Sequence, residues 1–260
     1  MKLNIWQVDA FCRGVFSGNP AAVIITDEPL GETLMQSIAA ENNLSETAFV
    51  SGCADKLNIR WFTPVTEVDL CGHATLASGH VLFNELNHNA SEIKFDSKSG
   101  SLRVLKKDEL LILDFPSDRI EEVPPPAGLY EALGTAPNRC FRGRSDYMLA
   151  YSDEDMILNL MPDFTKLGQV ESRGIIVTAP GKECDFVSRF FAPCAGINED
   201  PVTGSAHTTL TPYWSKELNK TELSAVQLSA RRGYLKCVYS GDRVEISGRA
   251  ATYLRGEIEV

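Results

Sequence analysis

The chain is written twice, and this repetition limits what it can fold into more than any other feature. In the first half Arg60-Trp61-Phe62-Thr63-Pro64 leads to Asp69-Leu70-Cys71-Gly72-His73-Ala74-Thr75. In the second, Arg189-Phe190-Phe191-Ala192-Pro193 leads to Asp200-Pro201-Val202-Thr203-Gly204-Ser205-Ala206. The copies lie about half of the 260 residues apart. Three further stretches keep the same order and nearly the same offset: 22–28 against 148–154, 45–50 against 172–177, and 100–104 against 233–237. Order preserved through small insertions implies two lobes of one design.

Alternating apolar and β-branched residues predict strands near 3–9, 20–26, 47–51, 57–63, 91–96, 101–105 and 109–115. Residues 30–42 carry Leu34, Met35, Ile38 and Ala39 on one helical stripe. Residues 72–86 are apolar on so many sides (Leu76, Ala77, Val81, Leu82) that sheet must wrap the helix. The matching helix runs from Thr203 through Trp214 to Leu218. Glu121-Glu122-Val123-Pro124-Pro125-Pro126 reads as a stiff extended linker. The tail 250–260 reads as a strand without a counterpart in the first copy, and it is expected to cross back. The expectation is an α+β fold of two pseudo-symmetric lobes, each a curved, mostly antiparallel sheet wrapped around a central helix. The lobes are 1–118, completed by 250–260, and 119–249.

Composition removes several function classes. A formal net charge of −10 argues against a nucleic-acid surface, which needs a basic patch. It leaves an anionic metabolite open, because local backbone dipoles act over a few ångströms. No apolar run reaches the length of a membrane span. Seven cysteines without a C-x-x-C pair fit a reduced, cytoplasmic protein. Gly14-Val15-Phe16-Ser17-Gly18 lacks the lysine of a phosphate loop and contains no G-x-G core, so no cofactor is expected.

A glycine turn that opens a helix exposes unpaired N–H groups at the positive end of the helix dipole, where an anion can sit. Gly72 and Gly204 would let backbone approach a small acidic ligand from two sides, in one cleft between the lobes. Glu46, in Leu44-Ser45-Glu46-Thr47, is readable as a general acid/base or as a solvated strand-end carboxylate. His73 can donate to a substrate oxygen, the dipole favouring its neutral form, or it can be a capping or core histidine. Asp200 and Ser205 flank Gly204 and serve either the ligand or the helix cap. Asn19-Pro20 is a turn signal, and Asn19 can also point into the cleft. Cys71, His73, His80 and His207 match no standard zinc spacing, so no metal is expected. Cys71 at a helix start is either a nucleophile of lowered pKa or a small buried residue.

The motifs together resemble a known family. They are Val8-Asp9-Ala10-Phe11, Phe16-Ser17-Gly18-Asn19-Pro20-Ala21-Ala22-Val23, Leu44-Ser45-Glu46-Thr47-Ala48-Phe49 and Phe62-Thr63-Pro64. Glu67-Val68-Asp69-Leu70-Cys71-Gly72-His73-Ala74-Thr75, Arg189-Phe190-Phe191-Ala192-Pro193 and Glu199-Asp200-Pro201-Val202-Thr203-Gly204-Ser205-Ala206-His207 complete the set. They resemble the PhzF-like isomerases of the phenazine-biosynthesis type, which share the diaminopimelate epimerase fold. The resemblance implies a cofactor-free site and a homodimer. In the phenazine enzyme the family glutamate shuttles a proton during isomerisation of a dihydro-hydroxyanthranilate. Position by position, it implies Glu46 as acid/base with His73, Asp200 and Ser205 around the substrate.

In the epimerase relatives two thiols face each other across the substrate carbon, one from each glycine turn. Here Cys71 precedes Gly72, but Thr203 precedes Gly204. A threonine hydroxyl is far too weak an acid or base to replace a thiol, which disfavours two-thiol racemisation. A single glutamate fits a proton shift on one face of the substrate. The expected function is a cofactor-independent isomerase acting on a small carboxylate-bearing substrate. An amino-acid racemase or epimerase using Cys71, and a non-catalytic metabolite- or protein-binding scaffold, are the alternatives.

Overall fold

Period-two alternation sets the first sheet: in β1 (Lys2–Ala10), Leu3 and Ile5 are buried while Lys2 and Asn4 face out. β2 (Asn19–Thr26) runs antiparallel to it, Ile24 opposite Ile5. In α1 (Glu32–Asn42), Met35, Ile38 and Ala39 form a buried stripe that packs with Ile24, Phe49 and Phe62. The helix stops at Asn43, whose left-handed backbone (φ 49°) returns its N–H to Ala39 O. β3 (Glu46–Cys53), β4 (Lys56–Phe62) and the short β5 (Glu67–Val68) lead to α2 (Gly72–His80). Then β6 (Glu92–Ser97), β7 (Gly100–Lys107) and β8 (Leu110–Pro116) extend the sheet. The computed structural model describes residues 1–53 and 56–260.

Every residue of α2 from His73 to His80 is buried, as its all-round apolar sequence requires. Its polar members return their groups to the helix itself: Thr75 Oγ1 donates to Cys71 O, and Ser78 Oγ to Ala74 O. Gly79 is where β7 comes closest, since a Cβ there would stand 2.7 Å from Val104 Cγ1. The sequence predicts one helix over 72–86. The structure gives α2 followed by a single π-helical turn, Val81–Glu85.

The second half repeats this order. β9 (Glu121–Glu122), α3 (Leu129–Leu133), β10 (Arg139–Arg142), β11 (Asp146–Ala150), α4 (Glu154–Leu158) and α5 (Phe164–Leu167) precede β12 (Gly174–Pro180) and β13 (Phe186–Phe191). After these come α6 (Gly204–Leu218), β14 (Glu222–Gln227), β15 (Gly233–Tyr239) and β16 (Arg243–Gly248). In the first half β2 pairs parallel with β3, β3 antiparallel with β4, β4 parallel with β6, and β6 antiparallel with β7. In the second, β11–β12, β12–β13, β13–β14 and β14–β15 repeat the sequence parallel, antiparallel, parallel, antiparallel. The parallel pairs refine the mostly antiparallel expectation. Each spans a helical crossover, the connection that parallel neighbours require.

The linker expectation is corrected at its start. The first residues of the expected linker form a strand, Glu122 opposite Phe141 and Glu121 opposite Arg142. Inside α6, Pro212 removes the donor for Thr208 O, and Asp118 N–H takes that carbonyl at 3.1 Å. The final strand β17 (Ala250–Glu259) lies antiparallel along β1, from Glu259 opposite Lys2 to Ala250 opposite Ala10. The chain divides into two compact units, Met1–Asp114 with Ser247–Val260, and Phe115–Ile246. Among the described residues no helix is long and apolar enough to cross a membrane.

Candidate active site

In the first unit three elements converge on the N-terminus of α2. Glu46 is the first residue of β3, Asn19 the first of β2, and Cys71 and His73 flank Gly72 where α2 begins. His73 Nε2 stands 3.0 Å from Glu46 Oε2. Its Nδ1 stands 3.2 Å from Asn19 Nδ2 and 3.5 Å from Cys71 Sγ. The Glu46 side chain is 13% exposed and that of His73 6%. The site is therefore nearly dry, and Glu46 is its more open member.

Burial disfavours an imidazolium at His73, but Cys71 and Glu46 together outweigh it and hold the ring well above its usual 6.5. Burial, reinforced by Glu46, pushes the Cys71 thiol up to about 11. The carboxylate of Glu46 and the sulfur of Cys71 both favour a charged His73. This reverses the neutral histidine expected from the helix dipole. A dipole contributes about half a unit charge, and a carboxylate at contact is a full one. It also reverses the lowered thiol pKa considered for Cys71. Asn19 suits either ring state, because its amide offers a donor in one orientation and an acceptor in the other.

The second turn is clamped from several sides. Gln227, fully buried, accepts from Thr203 N–H at 2.8 Å and donates to Asp200 O at 2.8 Å. Thr203 Oγ1 donates to Asp200 Oδ2, and His207 Nδ1 donates to Thr203 O at 2.8 Å. That last bond has a counterpart in the first turn, where Thr75 holds the Cys71 carbonyl. In each unit the side chain four residues on pins the carbonyl that precedes the glycine. Gly233 must be glycine, since a Cβ would lie 2.2 Å from Val202 Cγ2 beside the turn. Ser205 Oγ accepts from Arg173 at 3.0 Å, and Arg173 forks onto the buried carboxylate of Asp146.

The structure thus brings Asn19, Glu46, Gly72 and His73 together in the first unit, and Asp200, Gly204 and Ser205 along one turn in the second. Sequence reasoning missed Gln227, Asp146 and the role of Arg173. The only available signal was the alignment that sets Arg173 against Glu46. A separate hollow of about 400 Å³ in the first unit is lined by Cys12, Arg13, His80, Lys106 and Arg249 among others, and shares no residue with the Glu46 cluster.

Paired glycine turns on a duplicated α+β scaffold define the diaminopimelate epimerase-like fold. An Agrobacterium radiobacter protein described as a probable proline racemase superposes with a TM-score of 0.63 at 9% identity, covering 99% of this chain and 92% of that one, a likeness of fold alone. The chain belongs to the PhzC-PhzF family, the phenazine biosynthesis-like proteins, whose model matches residues 8–256. A Pseudomonas aeruginosa protein described as an uncharacterized isomerase is 50% identical over 260 residues, 100% of both chains. The crystal structure of a phenazine biosynthesis protein of the PhzF family from Enterococcus faecalis is 47% identical and covers 100% of each chain, with a TM-score of 0.97.

Proposed function

We propose that the protein is a cofactor-independent isomerase that moves a proton within a small carboxylate-bearing substrate. The observation that carries this reading is the Glu46–His73 pair, 3.0 Å apart, buried at the opening of α2. Glu46 as carboxylate takes a proton from one carbon of the substrate and returns it to another on the same face. His73 fixes the carboxylate and donates to the oxygen on which charge develops, supported by Asn19 and the amides of the Gly72 turn. In the second unit the amides of the Gly204 turn, with Ser205 and the guanidinium of Arg173, suit an anionic group, and Asp200 lies on the same turn.

The racemase alternative needs a basic Cys71. A thiol pushed up to about 11 is a poor base at neutral pH, and Thr203 is engaged with Asp200. A reduced, cytoplasmic setting fits the six free cysteines among the described residues. The same reading carries a homodimer, which sedimentation reports as twice the chain mass.

The test is incubation with a dihydro-hydroxyanthranilate and other small acids in deuterated water, followed by NMR. An isomerised product formed by the wild type and lost in Glu46→Gln, with the fold intact, supports the assignment. A Glu46→Gln variant that keeps most of its turnover overturns it. A protein inert toward every such acid, whose cellular role survives Glu46→Gln, is instead a scaffold.

A further inference from the structure

The first turn gathers three ligand types that one cation can share. Glu46 offers a carboxylate oxygen, Cys71 a sulfur and His73 a ring nitrogen, all within 4.8 Å of one another. Nε2 of His73 lies 4.0 Å from Cys71 Sγ and 3.0 Å from Glu46 Oε2. Tetrahedral zinc, with bonds of about 2.3 Å to sulfur and about 2.0–2.1 Å to nitrogen and oxygen, sets its ligand atoms roughly 3.3–3.6 Å apart. These two distances bracket that span, and the third, sulfur to carboxylate oxygen, is within 4.8 Å, so side-chain shifts of up to about an ångström close the set.

We propose that Glu46, Cys71 and His73 form a binding site for a thiophilic divalent cation, with zinc as its type, and that its occupancy shuts off Glu46. The sulfur–nitrogen–oxygen set selects zinc over magnesium or calcium, which take oxygen ligands. Cys71 and His73 are held at the start of a buried helix and Glu46 at the start of a strand, so the ligands are ordered in advance. When Nε2 binds the metal, Asn19 can accept from Nδ1–H and fix the ring, as a supporting partner does at known zinc sites. Three protein ligands leave a fourth position for water. The Cys71 thiol proton and the Nε2 proton of the charged His73 ring pass to solvent. The loaded site then sets a dication against a thiolate and a carboxylate. The other histidines weighed from sequence are committed elsewhere: His80 Nε2 to Thr252 Oγ1 and His207 Nδ1 to Thr203 O.

Metal binding stands on this geometry alone, whereas the loss of turnover rests on the isomerase reading. The metal-free chain is titrated with zinc against a chromogenic chelator, and separately with cobalt(II), followed by absorption. The expected result is about one zinc per chain and a thiolate-to-cobalt charge-transfer band. Cys71→Ser and His73→Asn lower zinc affinity roughly a hundredfold or more. Cys194→Ser, at an exposed cysteine, keeps both signals. Circular dichroism checks each fold. If Cys71→Ser fails to fold, the wild-type cobalt spectrum decides. Absence of binding, a cobalt complex without the thiolate band, or zinc affinity that survives both Cys71→Ser and His73→Asn overturns the site. Zinc that binds as described to a protein whose Glu46→Gln variant still turns over leaves the site standing and removes the isomerase reading.

Discussion

Arg173 donates to Ser205 at 3.0 Å in the second unit, where the corresponding positions of the first unit set Glu46 against His73. The duplication has kept the geometry of the contact and inverted its charge. A carboxylate sits beside one glycine turn and a guanidinium beside the other. The guanidinium is held by Asp146 and remains about half exposed, with its side chain 45% accessible. In the proposed isomerase reading this divides labour: Glu46 beside the first turn moves the proton, and Arg173 beside the second offers a cation to an acid.

The division predicts opposite kinetic signatures. Glu46→Gln should lower kcat by about a thousandfold or more with little change in KM, since it removes a proton carrier. Arg173→Gln should raise KM by about ten- to a hundredfold while sparing most of kcat, since it removes a charge-assisted contact made in ground and transition states alike. Steady-state kinetics on the substrate identified by isotope exchange separates them. A collapse of kcat in Arg173→Gln would mean that the second turn takes part in the chemistry.

Much of this is legible in the sequence. The offset of the two motifs located both glycine turns, and the all-round apolar content of α2 required a wrapped helix. What sequence could not supply was charge state. Burial raises the Cys71 thiol, with Glu46 adding to it, and Cys71 and Glu46 together raise His73 against its burial; Glu46 lies on a strand 25 or more residues away in sequence. A helix-dipole argument, confined to the local segment, therefore points the wrong way for His73, whereas the small buried residue that is one reading of Cys71 is what the structure shows. Gln227 was equally invisible, because a lone glutamine in a strand carries no spacing signal, although it clamps Thr203 and Asp200 together.

Cys71 separates the two enzyme readings. Cys71→Ser should keep turnover within about tenfold, a change in barrier of no more than ~1.4 kcal/mol, because a hydroxyl can sit beside His73 in place of the sulfur. A racemase that uses the thiol as acid or base would lose activity almost completely. Polarimetry on enantiopure amino acids, run beside the isotope-exchange assay, reads both outcomes in one preparation.

His207 predicts the acid side of the stability profile. Burial pushes its ring down to about 4, with the bond to Thr203 O opposing only in part. Between about 6.5 and 4 the unfolded chain takes up a proton that the folded chain refuses. This share of stability is therefore complete above pH 6.5 and declines as the pH falls toward 4, by up to about 3 kcal/mol. His207→Gln keeps a donor for the Thr203 carbonyl and removes the titration. Urea melts at pH 7.5, 6 and 5 should show a shallower decline for the variant. Parallel declines would assign the acid sensitivity to other groups.

The placement of His73 depends on how closely α2 lies against β7, and Gly79 is the point of contact. Ala in a helix is favoured over Gly by about 1 kcal/mol, so Gly79→Ala would stabilise an exposed helix. Here the added methyl meets Val104 Cγ1 at 2.7 Å, and Val104 is itself fully buried with a stiff, branched side chain. Overpacking of this kind costs about 1–3 kcal/mol. The net effect should be a loss of stability. Because α2 must shift to relieve the clash, turnover should fall with it although Gly79 touches no reacting group. Val104→Ala made together with Gly79→Ala should recover both, beyond the sum of the single changes. A Gly79→Ala variant with unchanged stability and turnover would show that β7 yields at this point and that α2 is not fixed by it.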